Sequence, residues 1–122
     1  MLVRLSDIDD GGFAEAEAVV DAQSVSLILY RDGSGVRAWR NVCPHAGRRL
    51  DWSPGRFLKS KDGLLVCAVH GASFETGEGV CVAGPCRGER LQAVAVQVLD
   101  DCVTLADVPD QAAVGYDIST AG

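Results

Sequence analysis

The chain has 122 residues, of which 48% are hydrophobic and 23% are charged, as expected for one soluble globular domain with a modest core. The net charge of −6 argues against nucleic acid as a partner, because a nucleic-acid-binding domain presents a basic face to the phosphates. The apolar stretches are far too short to span a bilayer, and the N-terminus lacks the apolar core of a signal peptide. We therefore expect a cytoplasmic protein, whose five cysteines are metal ligands or reduced thiols and not a disulfide framework.

Strand patterns dominate the first third of the chain. Residues 14–20 alternate small apolar with acidic side chains, and residues 25–30 form a β-branched and aliphatic run, both typical of strands. The segment 32–35 (DGSG) predicts a turn, and residues 36–42 resume as a third strand that leads directly into Cys43. This pattern predicts a β-meander that ends in a loop.

The second part of the chain predicts shorter strands. Residues 48–59 are the one helical candidate, which Pro54 and Gly55 weaken. Further strands are predicted at 64–67, 73–75, 80–82, 91–99 and 102–105, with a hairpin turn at 76–79. The polar, unpatterned stretch 107–122 predicts a surface tail, so that residues 1–106 form one all-β domain.

Two short Cys/His pairs dominate the chemistry of the sequence: Cys43 with His45, and Cys67 with His70. Both histidines of the chain lie in these pairs, and in each pair the two side chains are close enough in sequence to point at one metal. Two Cys and two His suit tetrahedral zinc, or an iron–sulfur cluster in which histidines replace two thiolates on one iron. Ordinary structural residues are the simpler alternative, but Pro or Gly residues placed to turn the backbone at each pair argue against it.

The surrounding segments resemble the Rieske [2Fe-2S] family. The resemblance lies in three segments, called here the first loop (residues 43–47, CPHAG), the second loop (67–74, CAVHGASF) and the third loop (around 84–85, GP). It extends from the LSDI segment at residues 5–8 to Leu105. It implies a small antiparallel β-sandwich with a cluster-binding subdomain of loops and short strands. Structural zinc needs only four ligands, and would leave unexplained both the covering loop at 84–85 and the length of the β-scaffold.

The resemblance also implies a role for each residue of the pairs. Cys43 and Cys67 would hold the inner iron of a [2Fe-2S] cluster, and His45 and His70 would hold the outer iron. Neutral imidazoles in place of two thiolates remove negative charge, which makes the addition of an electron easier and raises the potential.

Four positions depart from the high-potential members of that family. Those proteins carry an extra cysteine in each loop, where Arg48 and Val69 stand here, so the clamping disulfide cannot form. They also place Ser and Tyr hydroxyls near the cluster, at the positions of Ala72 and Phe74. Hydrogen bonds to the sulfurs stabilise the reduced state, so their loss predicts a potential near the bottom of the Rieske span of roughly −150 to +300 mV.

The function that the resemblance implies is that of a soluble one-electron carrier, similar to the Rieske ferredoxins. It would accept electrons from a flavin reductase and pass them to a terminal oxygenase, with no small-molecule substrate of its own. An oxygenase needs a separate iron site of two His and a carboxylate, and both histidines are already used, so the chain is expected not to be an enzyme. Alternatives are a small subunit of a nitrite-reductase-like complex, a redox-sensing module and a zinc-binding module.

The remaining cysteines have open roles. Cys81 and Cys86 flank the 84–85 loop, where they would form a redox-active disulfide, perturb the cluster, or simply be two small, partly buried thiols, which is the interpretation that a reducing compartment favours. Cys102 is expected in the core.

Two further groups of side chains are expected at the surface or in the core. Four arginines that follow the first and third loops form either a basic docking rim for a partner with an acidic face or ordinary solvated side chains: Arg48, Arg49, Arg87 and Arg90. Trp39 and Trp52 are expected to pack in the core or against loops.

Overall fold

The computed structural model describes residues 2–44, 47, 49–53, 55–68 and 71–106. Within these ranges the regular structure consists of a 3-10 turn over Leu5–Asp7 and eleven β-strands, with no α-helix. The strands in chain order are β1 (Val3–Arg4), β2 (Phe13–Val20), β3 (Gln23–Asp32), β4 (Gly35–Arg40), β5 (Leu58–Lys59), β6 (Leu65–Val66), β7 (Ser73–Phe74), β8 (Cys81–Ala83), β9 (Ala93–Val94), β10 (Val96–Leu99) and β11 (Cys102–Leu105). These strands pair antiparallel, which confirms the all-β prediction.

The strands form three sheets, with the orders β1-β11-β10, β2-β3-β4-β9 and β5-β6-β7-β8. The first sheet brings the two ends of the described chain together, because Val3 lies opposite Val103. The third sheet is built from strands of two or three residues, which alternate with long connecting loops. It therefore corresponds to the subdomain of loops and short strands that the sequence predicts.

Strand β3 is buried on both faces. Leu27 and Leu29 point to one side, where they pack with Ala16 of β2 in one hydrophobic core. Ile28 points to the other side and packs with Trp39 of β4 in a second core. Because side chains alternate across a strand, a strand that is buried on both faces requires an uninterrupted apolar run.

The core on the Ile28 side contains both cysteines of the predicted metal site. It joins the second sheet to the third sheet and to the loops around it. Its buried members besides Ile28 are Trp39, Cys43, Leu50, Leu65, Cys67, Ala72, Phe74, Cys81, Cys86 and Leu91.

The strand predictions hold, with differences at the ends of the elements. β2 and β3 extend the predicted runs 14–20 and 25–30, and the predicted strand 91–99 divides at Ala95 into β9 and β10. The sequence does not predict β1 or the 3-10 turn, because elements of two or three residues leave no hydrophobic period to detect.

The helix predicted over 48–59 is wrong for the residues of this segment that are described. The amide of Trp52 donates to the carbonyl of Arg56 (3.0 Å) and the amide of Arg56 donates to that of Ser53 (2.7 Å), which makes a tight turn that leads into β5. Gly55 takes a left-handed φ of +77°, which a helix does not allow. Trp52 is 57% exposed with the Arg56 guanidinium over its ring, so it is not a core residue, whereas Trp39 is buried as expected.

The structure covers only part of the remaining predictions, which concern the C-terminal tail, the domain boundary and membrane-spanning segments. The tail predicted at 107–122 lies outside the described residues, and the domain boundary at residue 106 stays a prediction. The described chain contains no helix with the length and apolarity needed to cross a membrane.

Candidate metal centre

Cys43 and Cys67 both lie at the start of loops and point into the same core. Cys43 follows β4 and Cys67 follows β6, and each is only 1% exposed. The predicted ligands His45 and His70 fall outside the described residues. The two sulfur ligands that the sequence predicts are thus brought into one buried cluster.

The same backbone hydrogen bond closes both loops. The amide of Gly47 donates to the carbonyl of Cys43 (2.8 Å), and the amide of Gly71 donates to the carbonyl of Cys67 (2.9 Å). Both glycines are left-handed, with φ of +67° and +74°, a conformation that costs an L-residue roughly 1–2 kcal/mol. Each cysteine therefore opens a five-residue turn, and a histidine lies within each turn in the sequence.

Backbone hydrogen bonds also hold the two loops against each other. The amide of Ala68, next to Cys67, donates to the carbonyl of Leu50 beyond the first loop (3.2 Å), and the amide of Cys67 donates to the carbonyl of Ala72 (2.7 Å). The position of the second cysteine is therefore set relative to the first loop through main-chain groups.

A buried asparagine anchors the first loop to the central sheet. The Asn41 side-chain oxygen accepts from the amide of Leu50 (2.8 Å), and its side-chain nitrogen donates to the Ser26 hydroxyl on β3 (3.2 Å). Ser26 in turn donates to a carboxylate oxygen of Glu15 (2.8 Å). Because Asn41 is the one buried polar or charged residue of the described chain, these hydrogen bonds fit the high cost of an unpaired buried amide. The sequence does not reveal this role, since an isolated Asn before a loop gives no distinctive signal.

An ion pair fixes the segment that follows the first loop. Arg49 donates Nε to Asp51 Oδ1 (3.0 Å) and Nη2 to Oδ2 (2.8 Å), and the amide of Gly55 also donates to Oδ2 (3.1 Å). Burial alone would raise the pKa of Asp51, but the hydrogen bonds from Arg49, Gly55 and Asn41 outweigh it and hold that pKa below its ordinary value.

These contacts reduce the number of unpaired arginines among the four that the sequence offers as a basic docking rim. The guanidinium of Arg49 faces Glu15 as well as Asp51, so its charge is partly neutralised within the chain. Arg90 lies 4.0 Å from Glu78, with both side chains exposed. Arg48 falls outside the described residues, which leaves Arg87 as the exposed cation of the four without an acidic neighbour in the described chain.

The third loop presses on the backbone of the second. A Cβ built on Gly84 would lie 2.8 Å from the Ala72 Cα, and Gly84 has φ +104°, so only glycine fits at this contact. Two hydrogen bonds close the base of the loop, from the Cys81 amide to the Glu89 carbonyl (2.7 Å) and from the Gly88 amide to the Cys81 carbonyl (2.9 Å). The 84–85 segment therefore covers the chain just beyond the second Cys/His pair.

Cys81 and Cys86 are not partly buried, as the sequence suggested, but fully buried and in contact. Their sulfurs are 3.0 Å apart, and each residue is 1% exposed. Burial, followed by the neighbouring thiols of Cys81 and Cys43, raises the pKa of Cys86 to about 12. Cys102, expected in the core, is half-buried on β11. Among the described residues no group of three or more His, Cys, Asp or Glu is placed to hold a metal.

The donor set fits a cluster bound at the two Cys/His pairs. Two cysteines are available in an apolar core, each opening a glycine-closed turn, and the third loop covers the neighbouring chain. Thiolate and imidazole are the ligands used by mixed-ligand [2Fe-2S] centres.

Comparison with known proteins identifies the family of the chain. A family model described as the Rieske [2Fe-2S] domain matches residues 1–109. The oxidoreductase NdmD of Pseudomonas putida is 41% identical over 61 residues, which is 48% of this chain but only 9% of that protein. The chain thus matches a small part of the length of this curated relative.

Two solved structures share the fold. The ferredoxin of carbazole 1,9a-dioxygenase from Nocardioides aromaticivorans IC177 superposes with a TM-score of 0.65 and 24% identity, covering 86% of this chain and 93% of that one. A structure described as a complex of reduced oxygenase and oxidised ferredoxin in carbazole 1,9a-dioxygenase contains a chain with a TM-score of 0.64 and 24% identity, covering 86% and 89%.

Gly84→Ala tests the contact between the third loop and Ala72. The added Cβ would collide with the Ala72 backbone, so we expect a loss of stability at least about 1 kcal/mol larger than for Gly88→Ala. Gly88 is a matched control, because it has a similar φ of +92° in the same loop but nothing within 4 Å of the position that a Cβ would take. Urea unfolding and the visible absorbance of the bound cluster report the difference, and equal effects would contradict the contact.

Asp51→Asn tests the ion pair behind the first loop. Because the folded-state pKa of Asp51 is lowered, its stabilisation is present above the unfolded value of about 3.9 and is lost as the pH falls through the folded value. We expect a loss of about 1–2 kcal/mol at neutral pH that disappears in acid. Urea midpoints of the metal-free protein measure this, with exposed Asp62→Asn as the control, and a loss that persists unchanged in acid would contradict the ionic explanation.

Proposed function

Because this chain belongs to the Rieske [2Fe-2S] domain family, we propose that it is a soluble one-electron carrier that links a reductase to a terminal oxygenase or a similar enzyme. The domain binds a [2Fe-2S] cluster, which supplies reversible one-electron chemistry. The carrier has no substrate of its own under this proposal, and its reaction is the acceptance and release of an electron.

We assign the cluster ligands to Cys43, His45, Cys67 and His70. The observation that carries this assignment is the pair of buried cysteines, each of which opens a turn closed by a left-handed glycine. Cys43 and Cys67 would hold one iron from the core, while His45 and His70, which follow within the same two turns of the sequence, would hold the other.

The first ligand loop begins at the surface of the protein, which suits electron exchange with a partner. Val42, directly before Cys43, is 48% exposed, although Cys43 itself points inward. A partner that docks beside this loop therefore approaches the site without any rearrangement of the core.

The proposed partners are a flavin reductase as electron donor and an oxygenase as acceptor. Support comes from the named function of the structural relatives, one of which is the ferredoxin of a dioxygenase and another a ferredoxin in complex with an oxygenase. The chain covers 93% and 89% of the length of these two chains.

We further propose a low midpoint potential. Ala72 and Phe74 are both completely buried in the core that contains the two cysteines, and neither has a hydroxyl to donate to a sulfur. Without such donors the extra negative charge of the reduced state is less stabilised, so the potential is lower.

Reduced-state EPR of the purified protein tests the cofactor and its ligands. We expect the low average g value typical of a mixed Cys/His cluster and one electron taken up per chain in a reductive titration. His45→Ala and His70→Ala should each abolish this signal, because two histidines hold one iron, while Cys102→Ser should retain it.

Two outcomes would contradict this proposal. Bound zinc with no EPR signal would exclude the cluster, and an unchanged signal in either histidine variant would exclude the ligand set. Electron delivery to a sirohaem enzyme, with none to an oxygenase, would instead indicate a nitrite-reductase-like partner.

Ala72→Ser tests the proposed origin of the low potential. A hydroxyl at this position, next to the second ligand loop, should raise the midpoint by several tens of millivolts, up to about 100 mV, if it donates to a cluster sulfur. Ala38→Ser is the control, since Ala38 is also buried but lies in the other core. Protein-film voltammetry measures both, and a wild-type midpoint above about +100 mV would contradict a low-potential site.

A further inference from the structure

The third loop has one buried side chain besides its Gly84 contact and its backbone hydrogen bonds. Every residue of the segment 82–90 is exposed except Cys86, which is 1% exposed and packs in the core with Cys81 and Cys43. A small apolar residue would serve as well for packing alone, because a free cysteine behaves as a small hydrophobic side chain. Packing alone therefore does not explain why the thiol of Cys81 lies next to that of Cys86.

The two sulfurs lie close to the separation that a disulfide needs. Their sulfurs are 3.0 Å apart, and a bond requires about 2.05 Å, so each sulfur must move by only about half an ångström. The backbone on both sides is fixed, because the Cys81 amide donates to Glu89 and the Glu89 amide donates to the carbonyl of Cys86. Closure of the bond thus requires no change in the base of the loop.

We propose that Cys81 and Cys86 are a redox-modification site, a dithiol that converts reversibly to a disulfide and locks the third loop. The oxidant is a low-molecular-weight disulfide of the glutathione class. Unlike the cluster, this pair exchanges two electrons, and its chemistry does not depend on the function proposed for the chain.

The reaction balances as two thiol–disulfide exchanges. One cysteine, as thiolate, attacks a sulfur of glutathione disulfide, which forms a mixed disulfide and releases one glutathione. The second cysteine thiolate then attacks the protein sulfur of the mixed disulfide, which forms the Cys81–Cys86 bond and releases the second glutathione. The two protons lost by the protein thiols are taken up by the two glutathione thiolates.

Burial makes this exchange depend on opening of the loop. In the closed loop both cysteines are buried, so reaction occurs through a transiently open form. The loop can open at low cost, because Cys86 is the one buried side chain of its exposed segment. The disulfide removes that freedom and holds Gly84 against Ala72, beside the second ligand loop.

Equilibration of the cluster-loaded protein in anaerobic glutathione buffers of graded ratio tests the proposal. After acid quenching and labelling with N-ethylmaleimide, the tryptic peptide 62–87 contains three cysteines: Cys67, Cys81 and Cys86. We expect it to change from three labels to one as the buffer becomes oxidising, while EPR shows the cluster intact. In the oxidised protein the amides of Arg87 and Gly88 should exchange about tenfold more slowly, since a short cross-link restricts loop opening.

Matched variants separate the pair from the other thiols. Cys86→Ser and Cys81→Ser should form no internal disulfide in any buffer, with the remaining cysteine of the pair carrying either N-ethylmaleimide or one glutathione, and Cys102→Ser should behave like the wild-type protein; Cys86→Ala replaces Cys86→Ser if the serine variant does not fold. Three outcomes would overturn the proposal: no loss of labels in the most oxidising buffer, a disulfide that includes Cys67 or Cys102, or loss of the cluster before the pair is oxidised. An absent EPR signal from the start, with normal oxidation of the pair, would contradict the proposed function and leave this inference supported.

Discussion

The burial of β3 on both faces is the constraint on which the rest of the structure depends. This strand supplies Leu27 and Leu29 to the core that includes Ala16 of β2, and it supplies Ile28 to the core that contains the cysteines. The first and second sheets share one core, while the third sheet and its loops are attached through the other. If β3 carried polar side chains on the face of Ile28, the core that contains the cysteines would lose its apolar contact with this strand.

The same strand also organises the ligand loops through polar groups. Ser26 of β3 connects to Asn41, Asn41 holds the amide of Leu50, and the carbonyl of Leu50 accepts from Ala68 in the second loop. This chain of hydrogen bonds crosses from the sheet to both loops, and the carboxylates of Glu15 and Asp51 accept from its members Ser26 and Asn41. In an apolar surrounding, satisfied hydrogen bonds are strong and directional, so they hold the two turns in a defined relation. Such preorganisation lowers the cost of assembling four ligands from two distant parts of the chain.

The parts of the fold that the sequence predicts are those with a regular pattern or a rigid chemical requirement. The alternation in β2, the aliphatic run in β3 and the two Cys/His pairs belong to this class. The positions that escaped prediction depend on tertiary contacts: Asn41 has its role only because Leu50 and Ser26 meet it, and Arg49 is a structural cation only because Asp51 and Glu15 face it. The helix expected at 48–59 failed for a local reason, since the left-handed Gly55 closes a turn there.

The apolar character of the cysteine core bears directly on the potential of a cluster held in it. The buried members of this core include no charged side chain, and Asn41 is the one buried polar residue of the described chain. Negative charge that is added in such surroundings is poorly solvated, and side-chain donors that would compensate are missing at Ala72 and Phe74. An apolar core and absent hydroxyls therefore act in the same direction, and both support the low midpoint potential that we propose.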